Sequence, residues 1–308
     1  MKFLSFEYEN GKKSWGALSK DDKILDLSDL APDLLSFIES DWTNKIGTIE
    51  NKLSNASLNL NEVSLLACLP NPPSCRDGYA FRQHVETARR NRGVPMIPEF
   101  DEFPVFYFTN HKSIIGPGDL SVRKRHMEKL DFELEAAIVV GKKGRDISAA
   151  NADQYIFGYT IMNDFSARAL QMQEMKLNLG PAKGKDFATA LGPYLVTCDE
   201  LKNNKVETET GDRYNLGMTA QVNEVEVSRG NLADMNWSFA QILERVSYGA
   251  DIYPGDVIGS GTVGTGCFLE LNGSKITDNQ WLNEGDQIIL RIDGLGELKN
   301  VVKVYEPA

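Results

Sequence analysis

Histidine and cysteine are both scarce in this 308-residue chain, which limits the chemistry that it can carry out. The three histidines are His84, His111 and His126. Few side chains can therefore serve as an imidazole base. The four cysteines are Cys68, Cys75, Cys198 and Cys267. Because they form no C-x-x-C pair, they indicate neither a zinc site nor a disulfide framework, and we expect reduced thiols.

Long hydrophobic runs and an excess of positive charge are also absent. No apolar stretch approaches the roughly 20 residues that span a bilayer, and Met1 to Glu7 contain no signal-peptide core. Lys and Arg total 33 against 44 Asp and Glu, a net charge of −11 that is opposite to what nucleic acid or an anionic membrane attracts. We therefore expect a globular, cytoplasmic protein that binds neither nucleic acid nor a membrane.

A proline-rich loop at residues 70–73 marks the predicted domain boundary. Before it, short strands, a hairpin turn at Asn10-Gly11 and two helices predict a small α+β domain over residues 1–69. After it, residues 70–308 combine many short strands with glycine-rich turns and few helices. The sequence thus predicts an α+β fold dominated by β-structure, not a doubly wound sheet.

The most informative stretch covers residues 130–141. Its alternation predicts a strand that leads into a buried apolar run at residues 136–140 and presents three carboxylates on one face. The three are Asp131, Glu133 and Glu135. Like charges beside a buried segment are costly unless an Arg, a Lys or a divalent cation lies between them. Ligands that are all oxygen select Mg²⁺, Mn²⁺ or Ca²⁺ over zinc.

Further polar residues follow a predicted strand that ends at Met162. Asp164 lies where this strand meets a helix predicted over residues 166–177, so it either projects into a cleft or, more simply, caps the helix, as Ser166 could. Arg168 and Gln171 share one helix face and either form a solvated pair or line the same cleft.

Asp77 and His84 are seven residues apart, close to two turns of a helix predicted from about Tyr79. The simpler alternative makes Asp77 an N-cap and His84 a structural histidine.

Residues 259–266 contain a formal G-x-G-x-x-G sequence. A dinucleotide site requires a helix to begin there, whereas residues 267–271 predict a strand, so we exclude that interpretation. A flexible active-site loop that leads into a strand carrying Glu270 fits better, with an ordinary surface glutamate as the alternative. No G-x-S-x-G, Walker, H-E-x-x-H or EF-hand sequence is present.

Five motifs occur in an order that resembles the fumarylacetoacetate hydrolase family. They are Asp77-Gly-Tyr-Ala-Phe-Arg-Gln-His84, Lys129-Leu-Asp-Phe-Glu133-Leu-Glu135, Asn163-Asp164-Phe-Ser-Ala-Arg168 with Gln171, Gly184-Lys185-Asp186-Phe187, and Gly261-Thr262 ahead of Glu270. The resemblance covers about residues 70–308, and residues 1–69 resemble the small leading domain of that family. It implies a catalytic domain that is a mixed β-sandwich or β-roll, and a homodimer.

The resemblance also implies a divalent cation, Mg²⁺ or else Mn²⁺ or Ca²⁺, held by four carboxylates. By motif these are Asp77, Glu133, Glu135 and Asp164. His84 and Glu270 would form a dyad that activates water, and Lys185 and Gln171 are candidate donors to an oxyanion. The candidates for substrate binding are Tyr79, Arg168 and Thr262. For Tyr79 and Thr262, a role in packing or in a turn is the simpler alternative.

The implied reaction is hydrolysis of a carbon–carbon bond in a β-dicarbonyl acid, such as an acylpyruvate or a fumarylacetoacetate-like oxo acid. The same site could instead support an oxo-acid decarboxylase or a keto–enol isomerase, and a non-enzymatic alternative is a Ca²⁺-binding structural protein.

Thr87 stands where many smaller members of the family carry a catalytic glutamate, which favours the Glu270 dyad. Met175 stands where the family often has a tyrosine. Arg89, Arg90 and Arg92 do not align cleanly with the family's carboxylate-binding arginine, so the identity of the substrate stays undecided.

Overall fold

The computed structural model describes residues 1–306 and consists mainly of β-strands. Its strands are β1 Lys2–Tyr8, β2 Lys13–Leu18, β3 Lys23–Asp26, β4 Leu58–Asn59, β5 Val63–Leu65, β6 Cys75–Gly78, β7 Phe106–Thr109, β8 Ile114–Ile115, β9 Gly118–Arg123, β10 Leu130–Asp131, β11 Leu134–Val140, β12 Ile156–Asp164, β13 Ser166–Ala167, β14 Thr189–Thr197, β15 Lys205–Val206, β16 Arg213–Tyr214, β17 Gly217–Val222, β18 Val225–Asn231, β19 Val257–Gly259, β20 Gln287–Ile292 and β21 Gly296–Tyr305. Its α-helices are α1 Leu34–Glu39, α2 Ile46–Lys52, α3 Arg82–Asn91, α4 Ala149–Ala152, α5 Arg168–Glu174, α6 Phe239–Ser247 and α7 Phe268–Gly273. The predicted α+β class with dominant β-structure is confirmed.

Two large sheets enclose the main hydrophobic core. The first has 12 strands in the order β4-β3-β2-β1-β14-β12-β11-β19-β6-β7, with β5 beside β1 and β8 beside β14. The second has the order β18-β17-β20-β21-β9. Ile138 and Ile161 from the first sheet belong to the same buried cluster as Leu290 and Val302 from the second. Burial of these apolar side chains between the sheets is the main stabilising contribution.

β11 runs through the middle of the larger sheet, between β12 and β19. Ala136 and Ile138 pack into the main core, whereas Ala137 and Val139 pack into a second core on the opposite face. A strand that is covered on both faces is apolar at every position, which is why residues 136–140 are a continuous hydrophobic run. Glu135 is the exception, since it is a carboxylate with no solvent exposure within this strand.

The strand predicted over the acidic stretch is interrupted, so the expectation that three carboxylates share one face is wrong. Asp131 belongs to β10, which pairs with β13, and β11 begins only at Leu134. Phe132 and Glu133 lie between the two strands. This break directs Glu133 and Glu135 to one site and Asp131 to another.

Two predicted helix starts also differ from the structure. α3 begins at Arg82, and Asp77 lies in β6, which pairs with both β19 and β7, so Asp77 is a strand residue and not an N-cap. α5 has Ala167 as its N-cap residue and no side-chain cap, so neither Asp164 nor Ser166 has that role.

Residues 268–273 form α7, whereas a strand was predicted for residues 267–271. The Asp131 carboxylate accepts hydrogen bonds from the backbone amides of Phe268 (2.8 Å) and Leu269 (3.0 Å). A residue that is distant in sequence thus caps the helix, which local sequence cannot reveal. The ground on which the dinucleotide interpretation was excluded is therefore wrong, but these amides are already bound and are not free to hold a phosphate.

The N-terminal strands continue the larger sheet directly. The predicted hairpin joins β1 to β2, with Gly11 at a φ of +79°, a conformation that glycine adopts without strain. β1 also pairs with β14, where Lys2 lies opposite Val196. The sheet thus crosses the domain boundary predicted at residues 69/70, which itself stays a prediction. No helix within residues 1–306 has both the length and the apolar character that crossing a bilayer would require.

Candidate active site

A cavity of about 780 Å³ collects nearly all of the residues that the motifs predicted. Ten of the eleven line it: Asp77, Tyr79, His84, Glu133, Glu135, Arg168, Gln171, Lys185, Thr262 and Glu270. They come from strands β6 and β11, helices α3, α5 and α7, and the connecting loops. Asp164, the eleventh, is not among the lining residues, and Lys185 links it to Glu133.

Asp77, Glu133 and Glu135 form a compact carboxylate cluster. One oxygen from each lies within 4.8 Å of the other two, and all three side chains are buried. The pairing of β19 with both β6 and β11 brings Asp77 close to Glu135. A Cβ atom on Gly259 would lie 2.4 Å from Asp77 Oδ1, so glycine is needed there for the two strands to approach.

Asp164 ends β12 and is bound by two donors. Its Oδ2 accepts a hydrogen bond from the Tyr107 hydroxyl and another from Lys185 Nζ at 2.6 Å. Lys185 also donates to Glu133 Oε2, so this ammonium group bridges Asp164 to the cluster. The sequence had not indicated Tyr107, which lies opposite Asp77 in the pairing of β6 with β7.

Burial and mutual repulsion perturb the carboxylates strongly. Burial raises the pKa of Glu135 well above its ordinary value, and the Asp77 charge raises it further. Burial and the Asp164 charge raise the pKa of Asp77 to about 7. Burial also acts on Glu133, but Lys185 and Arg168 outweigh it and lower the pKa of Glu133 to about 2. Burial and mutual repulsion therefore oppose full ionisation of the cluster, and the two cationic neighbours outweigh them at Glu133 only.

The donor set fits a hard divalent cation. Glu135 Oε2 and Asp164 Oδ1 are buried and have no hydrogen-bond partner within residues 1–306. A buried carboxylate oxygen without a partner is costly, and a bound cation would satisfy it. The cluster offers only oxygen atoms, which suit Mg²⁺, Mn²⁺ or Ca²⁺.

His84 and Glu270 are paired as the resemblance implies. His84 Nδ1 lies 2.6 Å from Glu270 Oε2, and both side chains are buried. The structure therefore excludes the surface-glutamate alternative for Glu270. His84 is close enough to the cluster that its charge contributes to the lowered pKa of Glu133. With Nδ1 bound to Glu270, Nε2 is the nitrogen left for a substrate or a water molecule.

The remaining predicted residues are held by neighbours in the cavity wall. Arg168 donates to Asp131 (2.9 Å), to Glu133 (2.7 Å) and to Gln171 Oε1 (3.0 Å). Arg168 is only 3% exposed, so the solvated-pair alternative for Arg168 and Gln171 is wrong. Thr262 donates to Glu135 Oε1 at 3.1 Å.

Tyr79 has a different environment from these held residues. Its ring lies edge-on to that of His84, with 5.7 Å between the centroids.

Several cavity residues carried no sequence signal. They are Tyr107, Met172, Leu269 and Trp281. Arg89 and Arg92, which do not align cleanly with the expected carboxylate-binding arginine, and Met175, which replaces a frequent tyrosine, also line the cavity. Their side chains come from α3, β7, α5, α7 and the segments that follow the helices, so spacing along the chain could not identify them.

Comparisons with known proteins place this geometry in a family context. The family model described as the C-terminal domain of fumarylacetoacetate (FAA) hydrolase matches residues 74–303. The oxaloacetate tautomerase YisK of Bacillus subtilis (strain 168) is 30% identical over 336 aligned positions, which cover 98% of this chain and 100% of that protein.

Two solved structures share the fold. The fumarylacetoacetate hydrolase of psychrophilic Exiguobacterium antarcticum superposes with a TM-score of 0.77 and 27% identity, over 99% of this chain and 100% of that one. The maleylpyruvate hydrolase of Sphingobium sp. SYK-6, solved in complex with manganese(II) and pyruvate, has a TM-score of 0.73 at 21% identity, again over 99% and 100%.

Proposed function

This chain belongs to the fumarylacetoacetate hydrolase family, and from its cavity we propose that it is a divalent-metal-dependent hydrolase that cleaves a carbon–carbon bond in a β-dicarbonyl acid of the acylpyruvate type. The observation that supports this most directly is the His84–Glu270 pair, which lines the same cavity as the carboxylate cluster. A base and a metal site side by side are the two parts that such a hydrolysis requires.

We propose that Asp77, Glu133 and Glu135 hold the cation together with Asp164, and that the cation is Mg²⁺ or Mn²⁺, with Ca²⁺ less suited to catalysis. The unpartnered oxygens of Glu135 and Asp164 support this set, as does the manganese in the Sphingobium hydrolase. When bound, the cation would polarise the two neighbouring oxygens of the diketone and stabilise the enolate that leaves.

His84 would accept a proton from water at Nε2 while Glu270 holds its Nδ1–H and stabilises the imidazolium. The resulting hydroxide adds to the acyl carbonyl, the bond to the methylene carbon breaks, and its electron pair passes into the enolate of pyruvate. His84 then returns the proton to that carbon. The products are one carboxylic acid and pyruvate, so the single water molecule supplies every atom that is added.

Lys185 is suited to stabilise the oxyanion, because Glu133 and Asp164 occupy only two of its three N–H donors. Gln171 would be a second donor. Arg168 and Thr262 were predicted to contact substrate. Because Arg168 donates to Glu133 and Thr262 donates to Glu135, we propose that they position these ligands instead. Tyr79 remains our candidate for the substrate carboxylate.

A second candidate is keto–enol tautomerisation of oxaloacetate, which the Bacillus relative, aligned over its full length, favours. His84 would move one proton between the methylene carbon and the enol oxygen, and no water would be consumed. Decarboxylation of an oxo acid is the related alternative. The cavity volume of about 780 Å³ favours substrates larger than a four-carbon acid.

The decisive experiment is an assay of acylpyruvates of increasing tail length and of oxaloacetate, with Mg²⁺ or Mn²⁺ and with a chelator. We expect metal-dependent loss of the diketone with release of pyruvate. His84→Ala should lower the rate by about 10²–10⁴-fold, whereas His111→Ala, in a loop outside the cavity, should not.

Full turnover by His84→Ala would exclude His84 as the base. Faster enol–keto conversion of oxaloacetate, without release of pyruvate from any acylpyruvate, would establish the second candidate in place of the first. Turnover that is unaffected by chelator would contradict both.

We also propose that the protein is a homodimer that acts on a small oxo acid, as the family resemblance implies, and that it acts in the cytoplasm, as its composition predicts. Light scattering at several protein concentrations tests the dimer.

A further inference from the structure

A buried thiol lies beside the His84–Glu270 pair and takes no part in the proposed reaction. Cys267 is the N-cap residue of α7 and has no solvent exposure. One ligand atom from each of His84, Cys267 and Glu270 lies within 4.8 Å of the other two. A thiol, an imidazole and a carboxylate thus lie close together, and the imidazole and the carboxylate line the cavity.

We propose that His84, Cys267 and Glu270 form a second metal site, selective for Zn²⁺, and that zinc bound there inhibits the enzyme by occupying its base. The site itself rests on geometry alone, whereas the inhibition rests on the proposed function. Sulfur and nitrogen donors select zinc, while the cluster of Asp77 and Glu135 offers only oxygen and selects harder ions. The two neighbouring sites would therefore prefer different metals.

The dimensions suit a tetrahedral ion. Zinc bonds of about 2.0–2.3 Å place the ligand atoms about 3.3–3.7 Å apart, and the three ligand atoms here all lie within 4.8 Å of one another. His84 Nδ1 and Glu270 Oε2, now 2.6 Å apart, would separate to admit the ion if Nδ1 is the ligand atom. A water molecule from the cavity would complete the four ligands.

Charge balance also favours the site. In the bound state the Cys267 thiol has lost its proton to solvent and the Nδ1 proton of His84 has moved to Nε2, which leaves one thiolate, one carboxylate and a neutral imidazole around Zn²⁺. The charges of the thiolate, the carboxylate and Zn²⁺ sum to zero, so the filled site carries no net charge in a buried region. His84 and Glu270 line the cavity, which gives the ion a route of entry.

The first test uses Co²⁺ as a spectroscopic probe of the protein saturated with Mg²⁺. We expect a near-ultraviolet absorption from thiolate bound to Co²⁺ that saturates at one equivalent and disappears when Zn²⁺ is added. Cys267→Ser should abolish it, and serine is itself a favoured N-cap residue, so this variant should fold. Cys198→Ser is the matched control, since Cys198, unlike Cys267, is not grouped with His84 and Glu270.

The second test measures inhibition by Zn²⁺ at saturating Mg²⁺. We expect half-inhibition of Cys267→Ser to require at least a tenfold higher Zn²⁺ concentration than that of the wild type or of Cys198→Ser. A thiolate band that persists in Cys267→Ser, no band in the wild type, or equal inhibition of all three proteins would overturn the proposal. A protein without any turnover would contradict the proposed function, while the absorption band would still decide the metal site.

Discussion

Two arginines show how burial determines the contribution of a single ion pair. Arg168 Nη2 lies 2.7 Å from Glu133 Oε1, and Arg229 Nη2 lies 2.7 Å from Glu226 Oε2, but their side chains are 3% and 70% exposed. Arg168→Met removes the guanidinium from two buried carboxylates, of which Glu133 keeps Lys185 and Asp131 keeps the α7 amides, so we expect the free energy of unfolding to fall by about 3–5 kcal/mol. Arg229→Met should cost about 0–1 kcal/mol. Urea unfolding of both variants measures the difference.

Equal losses in the two variants would show that water or a bound cation compensates Glu133 in place of Arg168. Adding Mg²⁺ separates these cases, because a cation would restore stability to Arg168→Met in proportion to its binding.

Residue type and order predicted the carboxylates, His84 and Glu270, because each carries chemistry that is recognisable in a motif. Tyr107 and Cys267 could not be found in this way. Tyr107 reaches Asp164 only because β6 and β7 pair, and Cys267 reaches His84 only because α3 packs against α7. Neither the pairing of β6 with β7 nor the packing of α3 against α7 can be predicted from the spacing of residues along the chain.

At the level of elements, Asp131 caps α7, the helix that carries Glu270 of the His84–Glu270 pair. Asp131→Asn places an amide nitrogen against either the α7 backbone amides or Arg168, all of which are donors. We expect α7 to loosen, Glu270 to lose its fixed position, and kcat to fall by at least tenfold. Amide hydrogen exchange over residues 267–273 should accelerate at the same time.

Asp278→Asn, at an exposed position shortly after α7, should change neither kcat nor exchange. Unchanged exchange in Asp131→Asn, together with a lower kcat, would show that Asp131 acts through Arg168 and not through the helix.

Asp26 of β3 accepts hydrogen bonds from β1 and β2, so we expect the stability of these three strands to depend on pH. Asp26 accepts hydrogen bonds from Tyr8 (2.5 Å), Ser14 (2.9 Å) and the Ser28 hydroxyl (2.6 Å). Burial raises the pKa of Asp26, but the hydrogen bonds from Ser28 and Tyr8 outweigh it and lower the pKa below its ordinary value. The folded state therefore favours the carboxylate, so its contribution is present above a pH of about 3.9 and is lost as pH falls through the lower folded-state pKa.

Asp26→Asn should accordingly cost about 1–2 kcal/mol at neutral pH, and the difference from wild type should vanish in strong acid. Thermal unfolding between pH 2 and pH 7 measures it, with Asp29→Asn, an exposed neighbour, as the control. If the stability difference between Asp26→Asn and the wild type did not depend on pH, then the shape of the side chain at this position, and not its charge, would determine its contribution to stability.

Element type was predictable where the pattern is local, as in β11 with its buried run and in the hairpin at Gly11. It failed at α7, which depends on a cap supplied by Asp131 from 137 positions away. Six residues with no local cap carry too little propensity to distinguish a helix from a strand.

At the scale of the whole molecule, the predicted domain boundary does not separate two independent cores. Phe157 of β12 packs against Phe3 (5.6 Å between ring centroids) and Trp42 (4.8 Å) of the N-terminal segment. The second core also joins Ala137 and Val139 of β11 to these N-terminal residues. Removal of residues 1–69 would therefore expose one face of the strand that leads from the active site.

We expect the fragment of residues 70–308 to be insoluble or to bind hydrophobic dyes, and the full chain to unfold in one cooperative transition. A full chain cut after folding, at a protease site placed in the loop at residues 70–73, provides the matched control. It should keep its near-ultraviolet circular dichroism, because the pairing of β1 with β14 and the shared aromatic core are not covalent. A soluble fragment with native dichroism and bound Mn²⁺ would show instead that residues 70–308 form an autonomous domain.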